Sequence, residues 1–145
     1  MKPDPDPPQI HPNHWGESLE LTWIDVGPER VVARVDAGPH LHQPYGILHG
    51  GAWCSIVEEV ASHGAGQAVL RAGGVGVVGV SNHTDFLRSH SEGTLDIVGE
   101  PLHAGRRQHL WEVRITRSDG VLVARGQVRF QVLDQLPEER ARAAR

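Results

Sequence analysis

Glu58 and Glu59 stand side by side in a stretch otherwise built from Ala, Val, Ser, Gly and Cys, and they are the residues best placed to do chemistry. Stepping about 100° per residue from Trp53 puts Val57, Ala61, Cys54, Ala65 and Val69 on an arc of about 160°, with Glu58 inside it at about 140°. Cys54 lies one turn before Glu58 and Ser62 one turn after. Holding a carboxylate among small apolar side chains is costly unless it gains partners or a proton. Two readings stay open: Glu58 is kept as a base or nucleophile, or it pairs with an arginine at the edge of its stripe. Glu59 falls near 240°, the most polar sector, beside His63, and reads as a solvated or interfacial carboxylate.

The run His49-Gly50-Gly51-Ala52 offers a second chemical group. Two glycines let another group approach the backbone, and the first N–H groups of a helix are unpaired donors at its positive end. A polarised carbonyl oxygen fits there, although a plain loop-to-helix turn is the commoner reason for Gly-Gly on its own. If the helix opens at Gly50-Gly51, Glu58 lies about 10 Å further along its axis, so bringing both groups to one reacting centre calls for a second subunit or for the far side of a bound substrate. Other chemistries find less. The alternation His40-Leu41-His42 would put two imidazoles on one side of a strand, but no third ligand follows at a suitable spacing, and no functional metal or other cofactor is expected. No G-x-S-x-G nucleophile elbow occurs. The single cysteine, Cys54, forms neither an internal disulfide nor a redox pair.

The elements that must position these residues follow from the rest of the chain. Its 145 residues suit one domain. With 39% hydrophobic and 22% charged residues it is neither a disordered polyelectrolyte nor a membrane protein, and a net charge of -4 argues against a nucleic-acid partner. Met1-Lys2 leads into Pro and Asp, so no secretory signal is read and a cytoplasmic location is expected. Residues 1–16 read as a loose, proline-rich arm and 134–145 as a charged tail. Between them the pattern predicts a hairpin (19–26 and 30–35), a loop dense in Gly, Pro and His, a helix of about twenty residues, and strands over 76–87, 94–102, 110–116 and 121–133. Gly93, Gly105 and Asp119-Gly120 punctuate the strands. The class is α+β, a sheet of about six antiparallel strands with one helix. One helix leaves a sheet face bare, and Trp23, Trp111 and the Val-rich strands suggest that another subunit covers it, as a dimer or a dimer of dimers.

Three blocks carry a family likeness. Gln43-Pro44-Tyr45-Gly46-Ile47-Leu48-His49-Gly50-Gly51, with Glu58 seven residues on, resembles the helix-opening motif of hotdog-fold acyl-CoA thioesterases. The nearest branch is the phenylacetate-pathway type, with its 4-hydroxybenzoyl-CoA and dihydroxynaphthoyl-CoA thioesterases. Val78-Gly79-Val80 through Asp85-Phe86-Leu87-Arg88-Ser89 resembles that family's third strand. Pro101-Leu102-His103-Ala104-Gly105-Arg106-Arg107, with Leu110-Trp111 and Val123-Ala124-Arg125-Gly126, resembles its last strands.

The resemblance, over residues 17–133, implies a hotdog fold, a sheet wrapped around one central helix, and hydrolysis of acyl-CoA thioesters, aryl or arylacetyl first and medium-chain second. It implies Glu58 as catalytic carboxylate, the Gly51 N–H as oxyanion donor, Gln43 and His49 as groups that position or polarise the carbonyl, and Ser62 as orienter of water. Gly50, Asp85, Phe86, Arg88, Ser89, Gly105, Arg106 and Arg107 become substrate or coenzyme A contacts, the arginines facing phosphates. The chain departs where relatives often have Asn-x-Asn: here His83-Thr84-Asp85-Phe86 stands. Trp53 would narrow the acyl pocket. A non-catalytic acyl-CoA-binding protein and a hotdog dehydratase are the alternatives, the latter disfavoured because its chemistry wants a His and an Asp where this helix has Glu58.

Overall fold

A computed structural model describes residues 14–137 and 142–144; the first thirteen residues of the expected arm, and 138–141 and 145 of the expected tail, lie outside them. A 3-10 helix η1 (Trp15–Leu19) leads into β1 (Thr22–Val26) and β2 (Val31–Ala37). A second 3-10 turn, η2 (Pro39–Leu41), precedes the long helix α1 (Gly50–Arg71). Then follow β3 (Val77–Phe86), β4 (Gly93–Ala104), β5 (Gln108–Arg117) and β6 (Leu122–Val132). The strands form one sheet in the order β1-β2-β4-β5-β6-β3, antiparallel throughout. α1 packs against all six strands, so the expected hotdog arrangement is what the chain adopts.

The expected first strand is shorter than its apolar run. Leu19 ends η1, and Glu20 takes a left-handed turn (φ 57°) that breaks the extended path before Thr22. Trp15 and Gly16, read as the end of a loose arm, belong to η1: the Trp15 indole N–H donates to Ser55 Oγ at 3.0 Å. Pro39 opens η2, so His40 and His42 do not share a strand face. Instead His42 Nε2 meets the Ser91 carbonyl at 2.6 Å, and His40 Nε2 lies 3.5 Å from Glu20.

Steric fit explains how α1 seats in the sheet. Gly64 faces the Trp111 ring so closely that a Cβ there would overlap it. Trp111 is fully buried under the helix, and Trp23 stacks on His63 of α1 with ring centroids 4.1 Å apart. This corrects the expectation that both tryptophans lie on a bare outer face. That face carries charged pairs: Arg34 pairs with Asp96 at 2.6 Å, and Arg125 Nη2 donates to Glu112 Oε2 at 2.8 Å. Alternation in β2, β4, β5 and β6 sends Val, Ile, Leu and Trp to the helix and these charges outward. The sheet's exposed backbone edge is β3, ten residues long and exposed along most of its length.

Candidate active site

α1 opens where the glycines predict. Gly50 allows the Phe86 ring, from the end of β3, to lie against the helix start; a Cβ there would come within 2.8 Å of it. His49 caps the helix, its Nδ1 accepting the Gly51 N–H at 2.8 Å. An accepting Nδ1 is unprotonated, so the neutral ring carries its hydrogen on Nε2. The N–H expected to serve an oxyanion is thus engaged in the free protein, because a helix's first donors bond the nearest capping side chain. Gln43 is also drawn into its own turn: its Oε1 accepts the Tyr45 N–H and its N–H donates to the Ile47 carbonyl at 2.8 Å. A cavity of about 420 Å³ adjoins this end, with walls from Trp15, Leu19, Leu41, His49, Gly51 and Ala52. Trp53, expected to narrow an acyl pocket, is instead 2% exposed and part of the core.

Two turns along, Glu58 is half-buried at the margin of the apolar stripe, against β3. A β-bulge between Gly79 and Ser81 puts Gly79, Asn82, Thr84 and Phe86 opposite Phe130, Val128, Gly126 and Ala124, the helix-facing residues of β6. Gly79 leaves room for Glu58, since a Cβ there would overlap Oε1. Asn82 Nδ2 donates to Glu58 Oε2 at 3.0 Å and to the Cys54 carbonyl at 3.1 Å. Among the described residues no cation pairs with Glu58, which removes the reading as an arginine's partner. A cavity of about 300 Å³ borders it, with Trp15, Cys54, Ser55, Glu59 and Asn82. Trp15 and Ser55 thus stand between the cavity at the helix start and the one at Glu58.

Of the two readings of Glu59, solvated or interfacial, the solvated one does not hold, although His63 is its neighbour as expected. η1 covers it, with Gly16 tight against its carboxylate and His63 Nδ1 3.8 Å away, leaving its side chain 23% exposed. Ser62 is half-buried one turn beyond Glu58, outside both cavities.

The remaining expected contacts divide between the two ends of the sheet. Phe86, Arg88 and Ser89 lie at the helix start, where the Leu87 and Arg88 N–H groups donate to the Val123 carbonyl. Asp85 points away from Glu58, on the other face of β3, with His83 Nε2 at 3.6 Å. Gly105 and Arg106 line a third cavity, of about 310 Å³, beside Ala68, Val69 and His109 at the far end of α1. Arg107 joins that end through its carbonyl, which accepts the Val132 N–H at 2.9 Å. One protomer therefore does not gather Arg88 and Arg106-Arg107 around one phosphate group. The reading of the residues missed Asn82, whose signal was its alternation with Thr84 and Phe86.

A fold with an uncompensated carboxylate facing a cavity, and a capped helix start about 10 Å away, invites comparison with known proteins. Residues 45–124, more than half of the chain, match the family model of the thioesterase superfamily. The Mycobacterium tuberculosis protein Rv1847, provisionally described as an esterase, is 44% identical over 143 residues, 94% of this chain and 100% of that one. Its solved structure superposes with a TM-score of 0.79 over 83% of this chain and 97% of its own. The proofreading thioesterase EntH of Cronobacter sakazakii is 34% identical over 104 residues, 72% of this chain and 74% of EntH. A Streptococcus pneumoniae protein solved with coenzyme A shares the fold at 21% identity, with a TM-score of 0.74 over 82% of this chain and 91% of that one. The chain belongs to the thioesterase superfamily and is a hotdog-fold thioester hydrolase.

Proposed function

We propose that this protein hydrolyses acyl-CoA thioesters with a small aromatic acyl group, with Glu58 as the base or nucleophile. The observation that carries the reading is a half-buried carboxylate that faces a cavity with no cation paired to it among the described residues. Less solvated than a free carboxylate, and not neutralised by a neighbour, it is ready to take a proton from water or to attack. The thiolate leaving group needs little acid assistance, so a site with no Ser-His-Asp triad suffices.

The thioester oxygen is assigned to the Gly51 N–H. Displacing the exposed His49 ring forfeits one neutral hydrogen bond, about 1 kcal/mol net. An oxyanion donor contributes about 3–4 kcal/mol in the transition state, so the exchange favours catalysis. Gln43, whose Oε1 is occupied by Tyr45, has its NH2 left to donate. The cavity beside Gly51, walled by Trp15, Leu19 and Leu41, takes the acyl group; its apolar walls suit an apolar one, and the family likeness makes an aromatic one the first choice.

A second copy completes the site. Antiparallel pairing of β3 with β3 of another copy satisfies the open edge and sets the Phe86 end of one strand against the Val77 end of the other. That carries the helix start of one copy toward Glu58 of the other, across the distance one helix cannot close. It also brings the Arg106-Arg107 turn of one copy to the same end as Arg88 of the other, where coenzyme A phosphates need charge. The same fold holds coenzyme A in the Streptococcus pneumoniae protein. The working location is the cytoplasm, where acyl-CoA is made and used.

The test is thiol release from a panel of benzoyl-, arylacetyl- and medium-chain acyl-CoA. Aryl substrates should lead, and Glu58→Gln should lower kcat by at least about 100-fold with KM little changed. Glu59→Gln, about 100° around the helix, should lose far less. Equal losses in the two variants would end this mechanism.

A further inference from the structure

Glu58 is held by a chain of side chains that neither the family match nor the reading above assigns to catalysis. Asn82 gives one amide, Nδ2, to both Glu58 Oε2 and the Cys54 carbonyl. On its other side, Thr84 Oγ1 donates to Asn82 Oδ1 at 2.7 Å. The two ends of an amide differ only in which one donates. Turned over, Asn82 would aim its oxygen at a carboxylate and a carbonyl, so these two acceptors select the orientation that offers them the NH2. The Thr84 hydroxyl, donating to Oδ1, then tethers the amide in that place. Thr84 has little freedom itself: across the ladder lies Gly126, where a Cβ would overlap the Thr84 hydroxyl and come within 2.8 Å of Val57.

The chain treats the two carboxylate oxygens differently. Oε2 is anchored by the amide, while Oε1 lies over Gly79 and has no donor among the described residues. A side chain at position 79 would cover it. We propose that Thr84 and Asn82 are positioning residues that fix Oε2 and leave Oε1 as the reacting oxygen of Glu58. This rests on the reading of Glu58 as the catalytic carboxylate. Neither residue needs to touch substrate, so their loss should fall on kcat and spare KM.

The experiment measures kcat and KM for Asn82→Ala and Thr84→Val, alone, together and each in a Glu58→Gln background, with melting temperatures as a check on folding. Asn82→Ala should cost about 10- to 100-fold in kcat, the range for one hydrogen bond to a charged group, with KM within about twofold. Thr84→Val, which keeps the shape and removes the hydroxyl, should cost less, and Thr84→Ser should recover most of that loss. The double variant should be no worse than Asn82→Ala, because the hydroxyl acts only through the amide. In the Glu58→Gln background neither change should lower the residual rate further. Additive losses, or losses that persist without the Glu58 charge, would show a merely structural role and overturn the relay. A fully active Glu58→Gln would sink the mechanism beneath it, whereas an inactive Glu58→Gln beside a normal Asn82→Ala sinks the relay alone.

Discussion

A carboxylate drawn half out of water usually takes a cation, and Glu58 takes one amide instead. Pairing with a guanidinium would hold the charge but spend the lone pairs needed for reaction. His109 shows the other course open to a buried ionisable group. It is 4% exposed, beside Trp111, whose indole N–H points at its Nδ1 from 3.5 Å. Burial holds its pKa below the usual 6.5, against a hydrogen bond from the ring to the Gly105 backbone, which raises it, and with a push from the His103 charge, which lowers it. The native ring thus stays neutral at pH values where the unfolded chain protonates. Below about pH 6.5 the unfolded state binds more protons, so stability falls with pH until the native ring protonates too, then levels off. Thermal melts between pH 8 and 5 should show this decline, and His109→Phe should flatten it. An unchanged slope in the variant would assign the decline to other groups. Helical periodicity alone placed Glu58 inside the apolar arc and left its partner open. Asn82 stayed hidden because the likeness drew attention to positions 83 and 85, where relatives carry amides, and because a bulge at Val80 is not written in the alternation.

At the scale of elements, the fit of α1 to the sheet is made by small residues opposite large ones. Gly64 over Trp111 is the tightest such place, and Gly66, on the same helix, has no heavy atom within 4 Å of a Cβ added there. The two glycines should therefore respond with opposite signs to alanine. Gly64→Ala must push the Trp111 ring or the helix aside, an overpacking cost of about 1–3 kcal/mol. Gly66→Ala removes a flexible residue from a helix interior and should gain about 0.5–1 kcal/mol. Differential scanning calorimetry should find Tm lowered by roughly 4 °C or more in the first and raised by roughly 2–4 °C in the second. A fall in both would mean that space around Gly66 is filled in the assembled protein. The strands after α1 were legible because their β-branched runs are bounded by Gly93, Gly105 and Asp119-Gly120. The hairpin start was not, since Leu19 and Leu21 continue the apolar pattern across a left-handed Glu20. Nor could the pattern say which side Trp111 faces: that depends on a glycine 47 positions earlier, a tertiary match that no local period contains.

The sheet has one long open edge, β3, and the proposed chemistry needs a helix start and a carboxylate two turns along that helix at one reacting centre. β1, the other edge strand, is five residues long and bulged, whereas β3 offers ten residues of exposed backbone. A two-fold pairing through β3 satisfies those groups and builds two equivalent sites, each with Glu58 from one copy and Gly51 from the other. Sedimentation at micromolar concentration should show a dimer or a multiple of it, and an active monomer would exclude a shared site. Mixing separates the shared site from a private one more sharply. Gly51→Pro removes the N–H at a first-turn position where proline is tolerated, and Glu58→Gln removes the basic oxygen. Each variant alone should be nearly inactive. Refolded or co-expressed in equal amounts, half of the dimers are mixed, and in a mixed dimer one site carries both lesions while the other carries neither. About a quarter of the parent activity should then return, given free exchange of copies. If each copy held its own complete site, every site would keep one lesion and mixing two folded variants, shown by sedimentation to co-assemble, would restore nothing.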